Sequence, residues 1–250
     1  MSFSLECKKI KRTGFLPAFL GGGLLSAMFP LINMAVRAEV YVGTGGSPIS
    51  VLLDANWQMM AMLNMLILIT VSCIIYHTEY ADNAIQKMCT FPIRESRLYF
   101  GKMILTLILL VLILAIQGLA VGFCSFHWFE PSPELMPQLL KTFGFLMLLS
   151  VPAALLSLFI ASVCKNMWIS LGVGIVCVFT ASMLPPDNFI LSLFPFALPF
   201  QIPVGMESGA LSFFGTGNGT FSLYFIVVIA EVLVLCFAEI LFLKIRRSFE

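Results

Sequence analysis

The chain has 250 residues, of which 60% are hydrophobic and only 11% charged, with a formal net charge of +1. Soluble domains carry about 25% charged residues, so a water-soluble fold of this size could not hide so much apolar surface. The near balance of 14 Lys and Arg against 13 Asp and Glu gives no reason to expect a nucleic-acid partner.

Residues 1–13 read as an N-terminal interfacial amphipathic helix, with a disordered basic tag as the alternative. Phe3, Cys7 and Ile10 fall at helical spacing, with Lys8, Lys11 and Arg12 on other faces. The first apolar stretch, about 14–36, is too long for the core of a signal peptide and is read as a retained span. Its Gly21-Gly22-Gly23 run lacks the Lys of a phosphate loop, and allows close helix approach or local bending. A loop rich in turn residues then runs from Arg37 to Asn56.

Further apolar stretches follow at about 57–76, 103–123, 139–163, 167–184 and 221–243. At 1.5 Å per residue each crosses most or all of a ~30 Å hydrocarbon layer. Backbone in lipid must satisfy its own hydrogen bonds, so these six stretches are predicted to be helices. They lack the apolar–polar alternation of barrel strands. The expected fold is an all-α integral membrane protein with six transmembrane helices, treated as a single domain over 1–250.

Between the second and third spans, Tyr80, Ala84 and Lys87, with Ile85 and Met88 beside them, predict a short helix with an apolar face. Thr90-Phe91-Pro92 stops it, because the residue before Pro avoids the helical region. After the third span, Trp128 together with Trp57 fits an outer aromatic belt, and Trp168 an inner one. His127 in the same loop reads as a solvated interfacial residue in preference to a ligand. The stretch 188–204 before the sixth span is too apolar for a solvated loop, and Pro195, Pro199 and Pro203 rule out one straight helix. A broken hairpin re-entering the outer leaflet, carrying Phe194 and Phe196, is predicted.

Basic residues set the orientation. Lys8, Lys9, Lys11 and Arg12 precede the first span, Lys87, Arg94, Arg97 and Lys102 lie between the second and third, Lys165 between the fourth and fifth, and Lys244, Arg246 and Arg247 after the sixth. The other loops carry Glu39, Asp54, Glu130, Glu134, Asp187 and Glu207. The positive-inside rule then places both termini in the cytoplasm. Seven scattered cysteines show no paired or metal-binding spacing, and no catalytic motif or resident cofactor is read in the chain.

Polar residues at membrane depth are functional candidates by default. Asn33, Asn64 and Gln117 are placed to hydrogen-bond across helices. Glu231 lies near the middle of the last span and Glu239 toward its cytoplasmic end. For Glu231 three readings stay open: a proton or substrate contact, a tie to another helix, and a protonated carboxyl facing the bundle.

Glu79 with its short helix, then Thr90-Phe91-Pro92-Ile93-Arg94-Glu95-Ser96-Arg97 and Gly101-Lys102, resembles the cytoplasmic loop of type-two ABC transporter permeases. The chain is most similar to the lantibiotic-immunity and bacitracin-resistance branch. Leu5-Glu6-Cys7-Lys8-Lys9-Ile10-Lys11-Arg12 is similar to the basic helix at that family's start. Leu193-Phe194-Pro195-Phe196-Ala197-Leu198-Pro199 resembles its Pro/aromatic segment before the last span. The resemblance implies a coupling helix at about Tyr80 to Thr90 that docks in a groove of a separate ATPase subunit. Glu79, Tyr80, Ala84, Ile85, Met88, Thr90, Pro92, Arg94 and Lys102 are then the ATPase-coupling residues, with Glu79 and Lys102 bracing the two ends of the loop.

The resemblance also implies two ATPase subunits, which hold the ATP and magnesium, and a second permease subunit, like or unlike. The expected function is a non-enzymatic permease subunit in a bacterial plasma membrane, expelling amphipathic antimicrobial peptides. The alternatives are an ABC permease with another hydrophobic cargo and an ion-coupled secondary transporter using Glu231 and Glu239.

Overall fold

The computed structural model describes residues 15–43, 46–80, 95–130, 133–164, 166–184, 191, 193–200 and 219–249. Among them the chain forms six helices: α1 (Phe15–Val42), α2 (Pro48–Tyr80), α3 (Glu95–Trp128), α4 (Leu135–Val163), α5 (Met167–Ser182) and α6 (Gly219–Phe249). A 3-10 turn, Leu198–Phe200, lies between α5 and α6, and the described residues contain no strand. The expected interfacial helix over 1–13 and the expected coupling helix lie outside the described residues.

Each predicted span corresponds to one helix, with differences at the ends. Helix α2 starts nine residues before Trp57, where a loop was expected. Ile49, Leu52 and Leu53 recur at helical spacing and are fully buried, so their packing extends the helix outward. Ser47 caps its start, its Oγ accepting from the backbone N–H of Ser50 at 3.3 Å. Helix α1 runs past Val36 but breaks at Arg37 (φ −134°, ψ 32°), one residue beyond the expected end.

Five of the helices are long and apolar enough to cross a membrane; α5 is the exception. Its 16 residues reach about 24 Å at 1.5 Å per residue. Asn166 caps its start by accepting from the N–H of Trp168 at 3.0 Å. After Met183 and Leu184 the sequence continues with Pro185 and Pro186, and prolines there are incompatible with prolonging the helix.

Helix α2 is the centre of the bundle and packs against α1, α3, α4 and α5. Small residues set two of these approaches. A Cβ on Gly22 of α1 would sit 2.8 Å from Ile67 Cδ1, and one on Gly174 of α5 would sit 2.6 Å from Ile69 Cγ2. Both glycines therefore let a neighbouring helix close onto α2, as small residues do in membrane bundles. Helix α6 is peripheral: it leans chiefly on α4, and only 11% of its apolar window is buried, against 61% for α2.

Trp57 does not belong to an interfacial belt. It is buried, meets Phe143 edge to face at 6.4 Å, and donates its indole N–H to the Pro199 carbonyl at 2.8 Å. A deep indole needs an acceptor, and the irregular backbone before α6 supplies one. Trp168, by contrast, is exposed on α5.

Candidate functional site

Because α2 touches four helices, its polar side chains meet partners inside the bundle, and they do so at successive depths. Nearest its outer end, Asn33 of α1 donates to the Asn56 side-chain oxygen, and Asn56 Nδ2 donates to the Leu52 carbonyl at 2.8 Å. Two turns deeper, the amides of Asn64 and Gln117 exchange two hydrogen bonds between α2 and α3, at 3.1 and 2.7 Å. Gln117 Nε2 also donates to Ser26 Oγ on α1. Deeper again, the hydroxyls of Ser72 and Ser157 lie 2.9 Å apart across α2 and α4.

Ser26, Asn64 and Gln117 are all buried, so their polar groups have traded water for one another. This is one tie among three helices, since Gln117 of α3 bonds both Asn64 on α2 and Ser26 on α1. We expect Gln117→Leu to lower bundle stability by about 1–2 kcal/mol, leaving the Asn64 amide without its reciprocal partner. Unfolding in mixed micelles checks this, and Asn64→Leu added to Gln117→Leu should recover part of the loss.

The second constellation sits where α2 ends, α3 begins, and α4 and α6 end. Glu239 of α6 is fully buried. Tyr76 of α2 donates its hydroxyl to Glu239 Oε1 at 3.3 Å, and Ser162 of α4 donates to Oε2 at 2.9 Å. Lys102 of α3, also buried, places its ammonium 3.8 Å from the centroid of the Tyr76 ring. Tyr99, Leu158 and Ala161 pack around Tyr76. Cation, ring and carboxylate thus form one enclosed group drawn from four helices.

The sequence resemblance pairs Lys102 with Glu79. The Glu79 and Tyr80 side chains lie outside the described residues, as do Ala84, Ile85, Met88, Thr90, Pro92 and Arg94. The structure places Lys102 over the Tyr76 ring. Sequence reasoning missed Tyr76 and Ser162 because neither is unusual in an apolar helix; the usable signal was a Lys and a Glu each set near the end of an apolar stretch.

Glu231 stands apart, eight residues or about 12 Å outward along α6 from Glu239. It is half-buried, and its Oε2 is enclosed with no hydrogen-bond partner among the described residues.

At the end of the bundle where α2 begins, Phe196, Leu198 and Pro199 are buried while Phe194 and Pro195 are partly so; Pro203 is outside the described residues. Leu198 packs with Phe145 and Leu149 of α4 and Tyr224 and Val228 of α6. Pro199 meets Trp57 nine residues from the start of α2, roughly 14 Å along the helix. Protein therefore covers this irregular backbone. Among the described residues no cluster of His, Cys, Asp or Glu could hold a metal ion.

A family model described as ABC-2 family transporter protein matches residues 2–181, which take in α1 to α5 up to Ala181. No curated protein and no solved structure matches the chain.

Proposed function

The chain belongs to the ABC-2 transporter family, and from that premise we propose that it is the permease subunit of an ATP-driven exporter of lantibiotic-type antimicrobial peptides, giving immunity or resistance. The family match over residues 2–181 carries the permease reading, and with it a partnership with ABC ATPase subunits. The bacterial plasma membrane, the cytoplasmic termini, two ATPase copies and a second permease subunit extend that reading.

Peptide as cargo is supported by the sequence resemblance and by the outer segment. Leu193–Phe200 presents aromatic and proline side chains packed among α2, α4 and α6 well inside the outer end of α2. An amphipathic peptide in the outer leaflet would meet the half-exposed Phe194, Pro195 and Phe200 there. Another hydrophobic export cargo fits the same surface.

The enclosed Glu231 oxygen favours a second reading, an ion-coupled carrier, because an unpaired carboxyl at membrane depth is costly without a use. Vesicles holding the chain and its ATPase, loaded with the lantibiotic nisin as probe, separate the two. We expect export to require ATP and to persist when an uncoupler collapses the proton gradient. Glu231→Gln should retain most transport, since its charge supplies no energy to an ATP-driven exporter. Export that stops with the uncoupler at constant ATP would replace the exporter reading with the carrier.

A further inference from the structure

The buried polar cluster where α2 ends and α3 begins is not accounted for by stability. A buried hydrogen-bonded pair replaced by apolar groups of the same shape is often nearly neutral or stabilising. Holding α6 to its neighbours could therefore be done with aliphatic side chains, as α4 and α6 already do through Leu149, Tyr224 and Val228. Glu239 is nonetheless fully buried on the least covered long helix of the bundle.

Position gives the cluster its meaning. Tyr76 lies four residues before the end of α2, and Lys102 seven residues after the start of α3. These two helices flank residues 81–94, the loop to which the permease reading assigns ATPase contact. Tyr76 donates to the carboxyl of α6, and Lys102 lies over the ring of Tyr76. Helix α6 otherwise leans on α4, with only minor contact to α3. Tyr99 adds a hydroxyl that is enclosed and has no hydrogen-bond partner among the described residues, one turn before Lys102. A polar group with a spare donor can exchange partners when its helices shift, whereas an apolar contact only loosens.

We propose that Lys102, Tyr76 and Glu239 are positioning residues that transmit movement of the loop between α2 and α3 to α6. This rests on the permease reading above. When ATP draws the ATPase subunits together and displaces the loop, α2 and α3 carry Tyr76 and Lys102 with them. The Glu239 carboxyl follows its hydrogen-bond donor Tyr76, and α6 moves relative to α4. Coupling of this kind passes through packed groups with discrete arrangements.

Cys236, three residues before Glu239 on α6 and half-buried, is a free thiol that can report the movement. The full chain is purified with its ATPase, reconstituted in lipid vesicles, and labelled with maleimide, the rate at Cys236 being read by peptide mass spectrometry. We expect vanadate trapping with ATP to change that rate at least about fivefold, the lower range for linked sites, and the change to fall below about twofold in E239Q/K102M. That double variant is read with its ATPase bound, whereas Tyr76→Phe leaves every coupling residue in place, so its ATPase co-purification should stay at the wild-type value.

Tyr76→Phe is the milder variant, since it removes the donor to Glu239 and keeps the ring beneath Lys102; its response should also shrink. If the double variant does not reach the membrane, Tyr76→Phe decides alone. A full nucleotide response in either variant, with the ATPase bound, overturns the inference and leaves the permease reading intact. So does a wild-type complex that hydrolyses ATP without any change at Cys236. An ATPase that never associates with the unsubstituted chain removes the permease reading, and the inference with it.

Discussion

Replacing Lys102 with Met is expected to destabilise the bundle by about 2 kcal/mol, because it removes a buried cation from the face of the Tyr76 ring. Glu239 keeps both of its hydroxyl donors, Tyr76 and Ser162, in that variant. Tyr76→Leu should cost at least as much, since it removes the ring beneath Lys102 and a donor to Glu239 together. Adding Lys102→Met to Tyr76→Leu should then cost less than the sum of the two. Unfolding midpoints of the single and double variants in the same mixed micelles measure the cycle. Strict additivity would show that the contact between Lys102 and the Tyr76 ring contributes nothing.

The second large effect concerns the loop. Ile85→Asp combined with Met88→Asp is expected to release the ATPase completely and to abolish ATP-driven export, while the chain still inserts in the membrane. The reasoning is from sequence: Ile85 and Met88 share the apolar face of the short helix between Glu79 and Pro92. A docked apolar face cannot accept two carboxylates without leaving them buried and unpaired. Pull-down of the ATPase with the variant reads the result directly. Unchanged co-purification would remove the coupling role from this face.

The membrane spans were legible because length and apolarity are local properties. All six apolar stretches became helices, and the Arg37 break falls one residue after the expected limit of the first. What failed locally was the judgement of loop and belt. The 48–56 segment contains Asp54 and Asn56 and reads as polar, yet Ile49, Leu52 and Leu53 decide its conformation by burying inside the bundle. Trp57 reads as an interfacial anchor by composition, and only the fold reveals that Pro199, 142 residues away, supplies its acceptor.

The same limit applies to the polar residues. Asn64 and Gln117 were visible as interhelical donors because amides are rare in lipid, but the further partner of Gln117, Ser26, is indistinguishable from any small residue of α1. Glu239 reads in sequence as an isolated carboxylate. Its meeting with Tyr76 depends on α6 returning to the α2–α3 end, where Tyr76 touches a residue 163 positions later. Periodicity and spacing carry no information over such a separation; topology does.

Helix α6 has one more consequence. Within a single chain its apolar window, Tyr224–Phe242, is 11% covered by protein, so acyl chains are its main solvent. The apolar stretch 221–243 of this helix spans about 35 Å, slightly more than a typical hydrocarbon layer. A helix so placed meets thickness mismatch mostly by tilting or by deforming the lipid around it, at a cost of fractions of a kcal/mol per ångström. The bundle built on α2 is held by its own amides and hydroxyls, but the attitude of α6 is set jointly by α4 and by the lipids. Acyl-chain length therefore acts on this protein as an external control, felt first at α6 and at the buried carboxylate near its inner end.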